Sequence, residues 1–399
     1  MTTSVRCIIN DTRGRVRNGH PWVFDNQVLR LDGLPAPGDL VQVFDAKRGA
    51  LGQGFFNPRS KIRIRMMTRS LEEPVDQHYF TDRIRSAWAH RERFGYRSAA
   101  RVLFGDADGV PALVIDKFNE VLVLQTLGLG VDRCKPLIVR SLLELFDPVA
   151  VVERNDAPVR EKEGLDQVKG VLYGTVPSEL QIEENWPPDS SGGPRFLVDV
   201  LNGQKTGHFL DQVANHSAIR PLCAGARVLD LFTHTGGFAI HAARYGAIEV
   251  KGLDIGVDAV ATAQKNAMLN GCTEQCHFEV ENVFDHLSRA SAAGRKWDVI
   301  ILDPPAFAKS RAVLDKAIRG YNEIALRAMK CIPSGGYLVT CSCSQHMGAE
   351  LFRRVTADAA LDVGRQVREI HYGTQPPDHP IHWSIPETHY LKCLILQVL

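Results

Sequence analysis

Four short apolar runs in the second half of the chain each stop at residues that can do chemistry, and this repeat restricts the fold more than any other feature. Val228-Leu229-Asp230-Leu231 runs into Phe232-Thr233-His234-Thr235-Gly236-Gly237-Phe238, an apolar strand meeting a glycine-bearing turn and then a helix. Residues 250–253 end in Asp254, and residues 299–302 end in Asp303-Pro304-Pro305-Ala306-Phe307. Gly335-Gly336-Tyr337-Leu338-Val339-Thr340-Cys341 ends in Ser342-Cys343-Ser344. Apolar runs of this length, separated by helical periodicity over 258–270, 283–290 and 315–329, read as strands of a doubly wound α/β sheet. A short strand at 278–280 and a last one at 391–398 complete the expected sheet. Ligands of such sheets bind beyond the carboxyl ends of the strands.

Phosphate is not the indicated guest, because the chain has neither Gly-x-Gly-x-x-Gly nor Gly-Lys-Ser/Thr at the first turn. The turn suits an uncharged, amino-acid-bearing nucleoside, with a carboxylate one βα unit later for the ribose hydroxyls. That pattern is the one S-adenosylmethionine requires. Asp230, Thr233, Thr235, Gly236, Gly237 and Phe238 are then expected at the methionine portion, Asp254 at the ribose, and Asn282 with Val283 at the adenine, whose amine Glu281 or Asn282 would meet; Asp303 is also expected to touch the cofactor. Residues 205–212 are expected to fold over the site, with Phe209 and Asp211 as contacts.

At this point the chain resembles the PUA-domain class I methyltransferases that modify cytosine in large-subunit (23S) ribosomal RNA, the rRNA large-subunit methyltransferase I family. The resemblance rests on His20-Pro21-Trp22-Val23-Phe24, Asp106-Ala107-Asp108-Gly109-Val110-Pro111, Glu153-Arg154-Asn155-Asp156 and Arg160-Glu161-Lys162-Glu163-Gly164. It continues through Lys205-Thr206-Gly207-His208-Phe209-Leu210-Asp211-Gln212, the Asp303 and Cys343 segments, and Tyr390-Leu391-Lys392. It implies a Rossmann-like class I methyltransferase domain preceded by a small β-barrel PUA domain and an α+β middle domain. It also implies a homodimer, and a cytoplasmic location is expected because residues 1–10 lack the apolar core of a signal peptide. The boundaries expected are 1–72, 73–185 and 186–399.

Charge agrees with that division. Residues 1–70 hold 12 Lys and Arg against 5 Asp, while the rest of the chain is mildly acidic. A basic module on an acidic catalytic body points to phosphate attraction by the first domain. Arg13, Arg15, Arg17, Lys61, Arg63 and Arg65 are its candidate RNA contacts, joined by Arg154 and Arg160 from the middle segment, whereas Trp22 reads as core. Short apolar runs with turn residues between them predict strands through the first 70 residues. The middle segment shows a helix from 80 to 94, strands at 113–115 and 121–125 with a turn at 116–119, a helix at 136–146 and a strand at 149–154.

No apolar run approaches the roughly 20 residues that span a bilayer. Nine cysteines without Cys-x-x-Cys spacing argue against a disulfide framework and a zinc site, and the histidines show no ligand spacing, so no metal is expected.

Cytosine carbon 5 is too weak a nucleophile to take a methyl group unaided, and a thiolate added to carbon 6 activates it. Cys343 is the expected nucleophile, since it sits at the polar end of an apolar strand within Ser342-Cys343-Ser344. Cys341 is assigned the ordinary role of a strand cysteine, a small buried hydrophobe. Asp303 is expected to hold cytosine at nitrogen 3 or at the exocyclic amine. Ala306 stands where another group of cytosine-5 methyltransferases carries a second cysteine, so no base for the carbon 5 proton is assigned. Two other readings remain: methylation of a purine nitrogen, for which Cys343 would be dispensable, and a non-catalytic ribosome-assembly factor that would transfer no methyl group.

Overall fold

The computed structural model describes residues 5–307 and 313–399, which fall into two compact units. One takes in the chain through Ile182 together with Val198–Leu210 and Pro377–Thr388; the other comprises Glu183–Leu197, Asp211–Pro376 and His389–Leu399.

The first unit contains two sheets. One has six strands in the spatial order Trp22–Phe24, Ile62–Thr68, Gly49–Phe56, Leu40–Asp45, Arg6–Ile9, Val28–Asp32. Its two outermost strands are joined by the single turn Asp25–Gln27. Six flat strands would put those edges about 24 Å apart at roughly 4.8 Å per strand, whereas the connecting residues span at most about 14 Å. The sheet must therefore curl on itself, and it does so around Cys7, Ile9, Val23, Val41, Val43 and Ile64, all fully buried. The other sheet runs Val168–Gly174, Ala150–Asn155, Val121–Thr126, Leu113–Phe118, Ala99–Phe104, and packs Leu103, Leu113 and Ile115 against the helices Gln77–Arg93 and Lys135–Phe146. The turn expected at 116–119 lies later, at Asn119 and Glu120. Asp116 stays in the strand, fully buried, because Arg101 meets its carboxylate with two hydrogen bonds of 2.8 and 2.9 Å.

The second unit is the doubly wound sheet. Its strands are β1 (Arg227–Leu231), β2 (Glu249–Asp254), β3 (Cys276–Val280), β4 (Val299–Leu302), β5 (Tyr337–Ser342), β6 (Val367–Gly373) and β7 (Lys392–Val398). They lie in the order β3-β2-β1-β4-β5-β7-β6, with β7 antiparallel to both neighbours and the first five parallel. The helices α1 (Gly237–Arg244), α2 (Val257–Leu269), α3 (Val283–Ala292), α4 (Leu314–Lys330) and α5 (Ala349–Asp362) alternate with the strands. All four residues of β4 are fully buried, which explains why the strand reads as an unbroken apolar run. The chain winds outward from β1 to β3 and then returns to β4 on the other side of β1. This reversal of direction leaves a crevice beyond the ends of β1 and β4, which is where such sheets take ligands.

Gly252 of β2 is packed too closely for any side chain: a Cβ there would come 2.4 Å from the Phe278 ring and 3.0 Å from Thr233 Oγ1. Gly252→Ala is expected to cost about 1–3 kcal/mol by overpacking. Urea unfolding checks this, and an unchanged midpoint would contradict it.

Candidate active site

The turn after β1 is held in a conformation that its own residues do not favour. Phe232 (φ 65°) and His234 (φ 51°) adopt left-handed backbone without being glycine, followed by Gly236 (φ 87°). Such positions cost about 1–3 kcal/mol each and persist only where surrounding bonds over-determine them. Those bonds come from two carboxylates. Asp230 Oδ2 accepts from Thr233 Oγ1 at 2.6 Å and from the Ala239 amide at 3.0 Å, pinning both ends of the turn. Asp254 Oδ2 accepts from the His234 amide at 3.0 Å while its Oδ1 accepts from Gly256 at 2.8 Å.

Asp230 is 1% exposed, and its Oδ1 has no hydrogen-bond partner among the described residues. Burial pushes its carboxyl up to about 7, with the Asp303 charge adding to the rise against the pull of Thr233. Gly237 is fixed by packing, because a Cβ there would meet the His216 ring at 2.7 Å. His216 Nδ1 in turn bonds Glu184 Oε2 at 2.8 Å, and His241 Nε2 lies 3.5 Å from the same oxygen. Burial opposes charge on His216, but Glu184 outweighs it and raises the imidazole. This buried cluster is invisible in chain spacing; its three side chains are near enough to share a metal ion.

At the end of β4, the Asp303 amide donates to Leu231 O at 3.3 Å and its Oδ2 accepts from Gln212 Nε2 at 3.0 Å. Asn215 holds Gln212 from behind, donating to Oε1 at 2.7 Å, and Asp211 accepts from the Tyr390 hydroxyl at 2.6 Å.

At the end of β5, Cys341 is fully buried and pairs in register with Cys393 of β7; burial pushes its thiol well above the ordinary range, with the Cys393 contact adding to the rise. Cys343 lies one residue beyond the strand and is half-buried. Tyr321 of α4 braces this segment. Its hydroxyl accepts from Ser342 Oγ at 3.0 Å and lies 3.4 Å from Ser344 Oγ, while its ring meets Phe307 at 4.8 Å. Lys392 Nζ donates to Ser344 O at 2.7 Å from β7. Sequence reasoning assigned no role to Gln212, Tyr321 or Lys392, and only the fold brings them to the strand ends.

Other expected contacts are placed differently. Asn282 caps α3, its Oδ1 accepting from the Phe284 amide at 2.9 Å, and Val283 is buried in the sheet core, so an adenine would meet Val283 only through its main chain. Phe238 is likewise buried, edge-on to His216 at 4.5 Å. Phe209 belongs to the first unit, where the Lys205 ammonium lies 4.3 Å from its ring.

Of the candidate RNA contacts, Arg13, Arg15, Arg17 and Lys61 are exposed and Arg63 is half-exposed. Arg154 and Arg160 are not surface groups, at 4% and 2% exposure. Arg154 is held by Asp156 and by Val200 O and Gly203 O. Arg160 is held by Asp132, Asp166 O and Thr126 O. With their donors committed inside the fold, these two are corrected from phosphate contacts to internal struts. Arg65 is similarly tied to Glu163 at 2.8 Å.

Two strand ends thus present a glycine cradle, a buried carboxylate oxygen without a partner among the described residues and a second carboxylate fixed by backbone amides. This donor set fits a ligand with an ammonium and a ribose diol. Residues 180–384 match the S-adenosylmethionine-dependent methyltransferase family model, and residues 10–69 match a PUA-like domain. The chain is 39% identical over 406 residues to a protein of Aeromonas hydrophila named ribosomal RNA large subunit methyltransferase I, with 100% of both chains covered. It is 38% identical over 400 residues to the protein of that name from Alteromonas mediterranea, covering 99% of each. In fold it is similar to a methyltransferase solved with SAH bound, with TM-score 0.83 and 19% identity over 98% of this chain and 99% of that one. S-Adenosylmethionine is the cofactor.

Asp254→Ala is expected to weaken S-adenosylmethionine binding about tenfold or more, the loss of a charged hydrogen bond worth roughly 1.5–3 kcal/mol; unchanged calorimetric affinity would refute the ribose assignment. Asp230 gives a second test. Its carboxyl is raised from 3.8 to about 7, so the cofactor-free folded protein keeps a proton that the unfolded chain releases across that interval. The contribution of Asp230 to stability should therefore fall as pH rises from about 4 to 7, by on the order of 1 kcal/mol per pH unit. Asp230→Asn should flatten this slope in denaturation measured at several pH values, and an identical slope in the variant would remove Asp230 as its source.

Proposed function

We propose that this chain, which belongs to the ribosomal RNA large subunit methyltransferase I family, forms 5-methylcytosine in large-subunit ribosomal RNA through a covalent adduct on Cys343. The observation that carries the reading is the contrast between two thiols at one strand end. Cys341 is sealed in the sheet and held protonated, while Cys343 stands past the last strand residue, half-exposed. A nucleophile must be the thiolate and must reach its substrate.

In this reading S-adenosylmethionine supplies an electrophilic methyl group. The Cys343 sulfur forms a bond to carbon 6 of cytosine, and the ring's 5,6-double-bond electrons become a nucleophile at carbon 5. Asp303, positioned by Gln212, meets nitrogen 3 or the exocyclic amine and steadies the charge that the ring acquires. After methyl transfer, carbon 5 loses its proton to a base, and expulsion of the Cys343 thiolate restores the aromatic ring. Tyr321 and its serine partners keep the Ser342-Cys343-Ser344 segment in place while the sulfur makes and breaks its bond.

RNA phosphates would be met by the exposed Arg13, Arg15, Arg17 and Lys61, with Arg63 at their edge. The proposal extends to three functional modules at 1–72, 73–185 and 186–399, and to a cytoplasmic homodimer. Among the described residues, no helix is long and apolar enough to cross a membrane.

Cys343→Ala should abolish methyl transfer while leaving S-adenosylmethionine binding unchanged, and Cys341→Ala should retain activity. RNA carrying 5-fluorocytosine should trap Cys343 in a denaturant-resistant complex, because fluorine cannot leave as a cation. An active Cys343→Ala enzyme, or a trapped peptide containing Cys341, would overturn the choice of nucleophile. Methylated RNA with no adduct would turn the reading toward a purine nitrogen.

A further inference from the structure

Lys392 is 3% exposed at the first position of β7, where the register sets it opposite Ser342 of β5. Its ammonium donates to Ser344 O at 2.7 Å and Tyr390 O at 2.8 Å, both neutral carbonyls. Among the described residues no carboxylate lies within ion-pair distance of it. A buried ammonium without a counter-charge is costly and survives only if something nearby returns the loss. The residue between its register partner Ser342 and its hydrogen-bond partner Ser344 is Cys343.

We propose that Lys392 is the counter-ion that holds Cys343 as a thiolate, a positioning residue acting through the sulfur; this rests on the reading of Cys343 as the nucleophile. Burial pulls the Lys392 ammonium down to about 8, and the one charge that pushes back is that of Cys343. Among the described residues, the neighbouring titratable groups offer no substitute cation. Burial raises Tyr321, so its phenol keeps its proton, and burial together with Lys392 lowers His389, which is therefore neutral at pH 7. Asp303 and the thiols of Cys341 and Cys393 carry no positive charge. The pairing also suits both sulfur steps: the same ammonium favours the thiolate as the attacking group before addition to carbon 6 and as the leaving group at the end. No proton needs to move between nitrogen and sulfur in either step.

The experiment is the pH dependence of iodoacetamide alkylation at Cys343 in the full-length protein, read peptide by peptide in mass spectra. Cys134, raised to about 11 by burial in the first unit, serves as an internal reference. Lys392→Met is expected to move the Cys343 midpoint up by about one pH unit or more while leaving Cys134 unchanged. Lys392→Arg should keep the midpoint near that of the wild type. In methyl transfer, Lys392→Met should lower kcat with the KM for S-adenosylmethionine unchanged, and Lys392→Arg should recover part of the loss. A Cys343 midpoint that does not move in the Met variant overturns the proposal. So does an Arg variant, folded by circular dichroism, whose midpoint rises as far as that of Met. Retained activity in Cys343→Ala would instead defeat the nucleophile assignment, a separate outcome because alkylation reads the thiol without any RNA.

Discussion

The carboxylate of Asp230, buried at the end of the central strand, is the constraint from which the rest of the site follows. One oxygen ties Thr233 to Ala239, and that pair of bonds closes the turn over three left-handed residues, two of them not glycine. Closing the turn aims the His234 amide at Asp254, so the second carboxylate is oriented by the consequence of the first. The other Asp230 oxygen is left buried without a partner among the described residues. The energy stored in the turn and in that oxygen is tolerable because the sheet beneath is sealed: β1 and β4 bury apolar residues on both faces. A less complete core would let the strand end relax and the carboxylate rotate away.

Residues whose role depends on their own stretch of chain were legible in the sequence, and residues whose role depends on distant partners were not. The positions of Asp230, Asp254, Asp303 and Cys343 could be read because each lies at or beside the end of an apolar run, and in a parallel sheet strand ends share one side. Gln212 could not be read, since its meaning comes from Asp303, 91 residues on. Lys392 reaches back 48 residues to Ser344, and Glu184 reaches His216 across 32. Arg154 and Arg160 were misread for the same reason. An arginine in a basic, polar stretch looks like a surface charge until the fold supplies the Val200 and Gly203 carbonyls to Arg154 and Asp132 to Arg160. The edge strand Val168–Gly174 escaped notice because it is mostly exposed and shows little apolar periodicity.

The two thiols at the end of β5 show how small a displacement separates structure from chemistry. Period-two geometry turns Cys341 into the sheet opposite Cys393, where burial keeps it protonated and inert. Two residues later the strand has ended, the backbone is no longer paired with β7, and Cys343 stands among a phenol, two serine hydroxyls and an ammonium. The same side chain is core in one position and reagent in the other, and only the end of the ladder distinguishes them.

Charge explains why this arrangement suits its cofactor. Asp230 and Asp303 face the same crevice and each raises the cost of ionising the other, which is part of why Asp230 holds its proton up to about 7. A ligand bearing an ammonium and a sulfonium relieves that repulsion, since both of its positive groups can meet negative ones in a site of low dielectric. Once the methyl group has left, the sulfur is neutral, one of the two attractions is gone, and the carboxylates again oppose each other. If the ligand's ammonium and its sulfonium each meet one of these carboxylates, the crevice would bind the charged methyl donor better than the neutral-sulfur product.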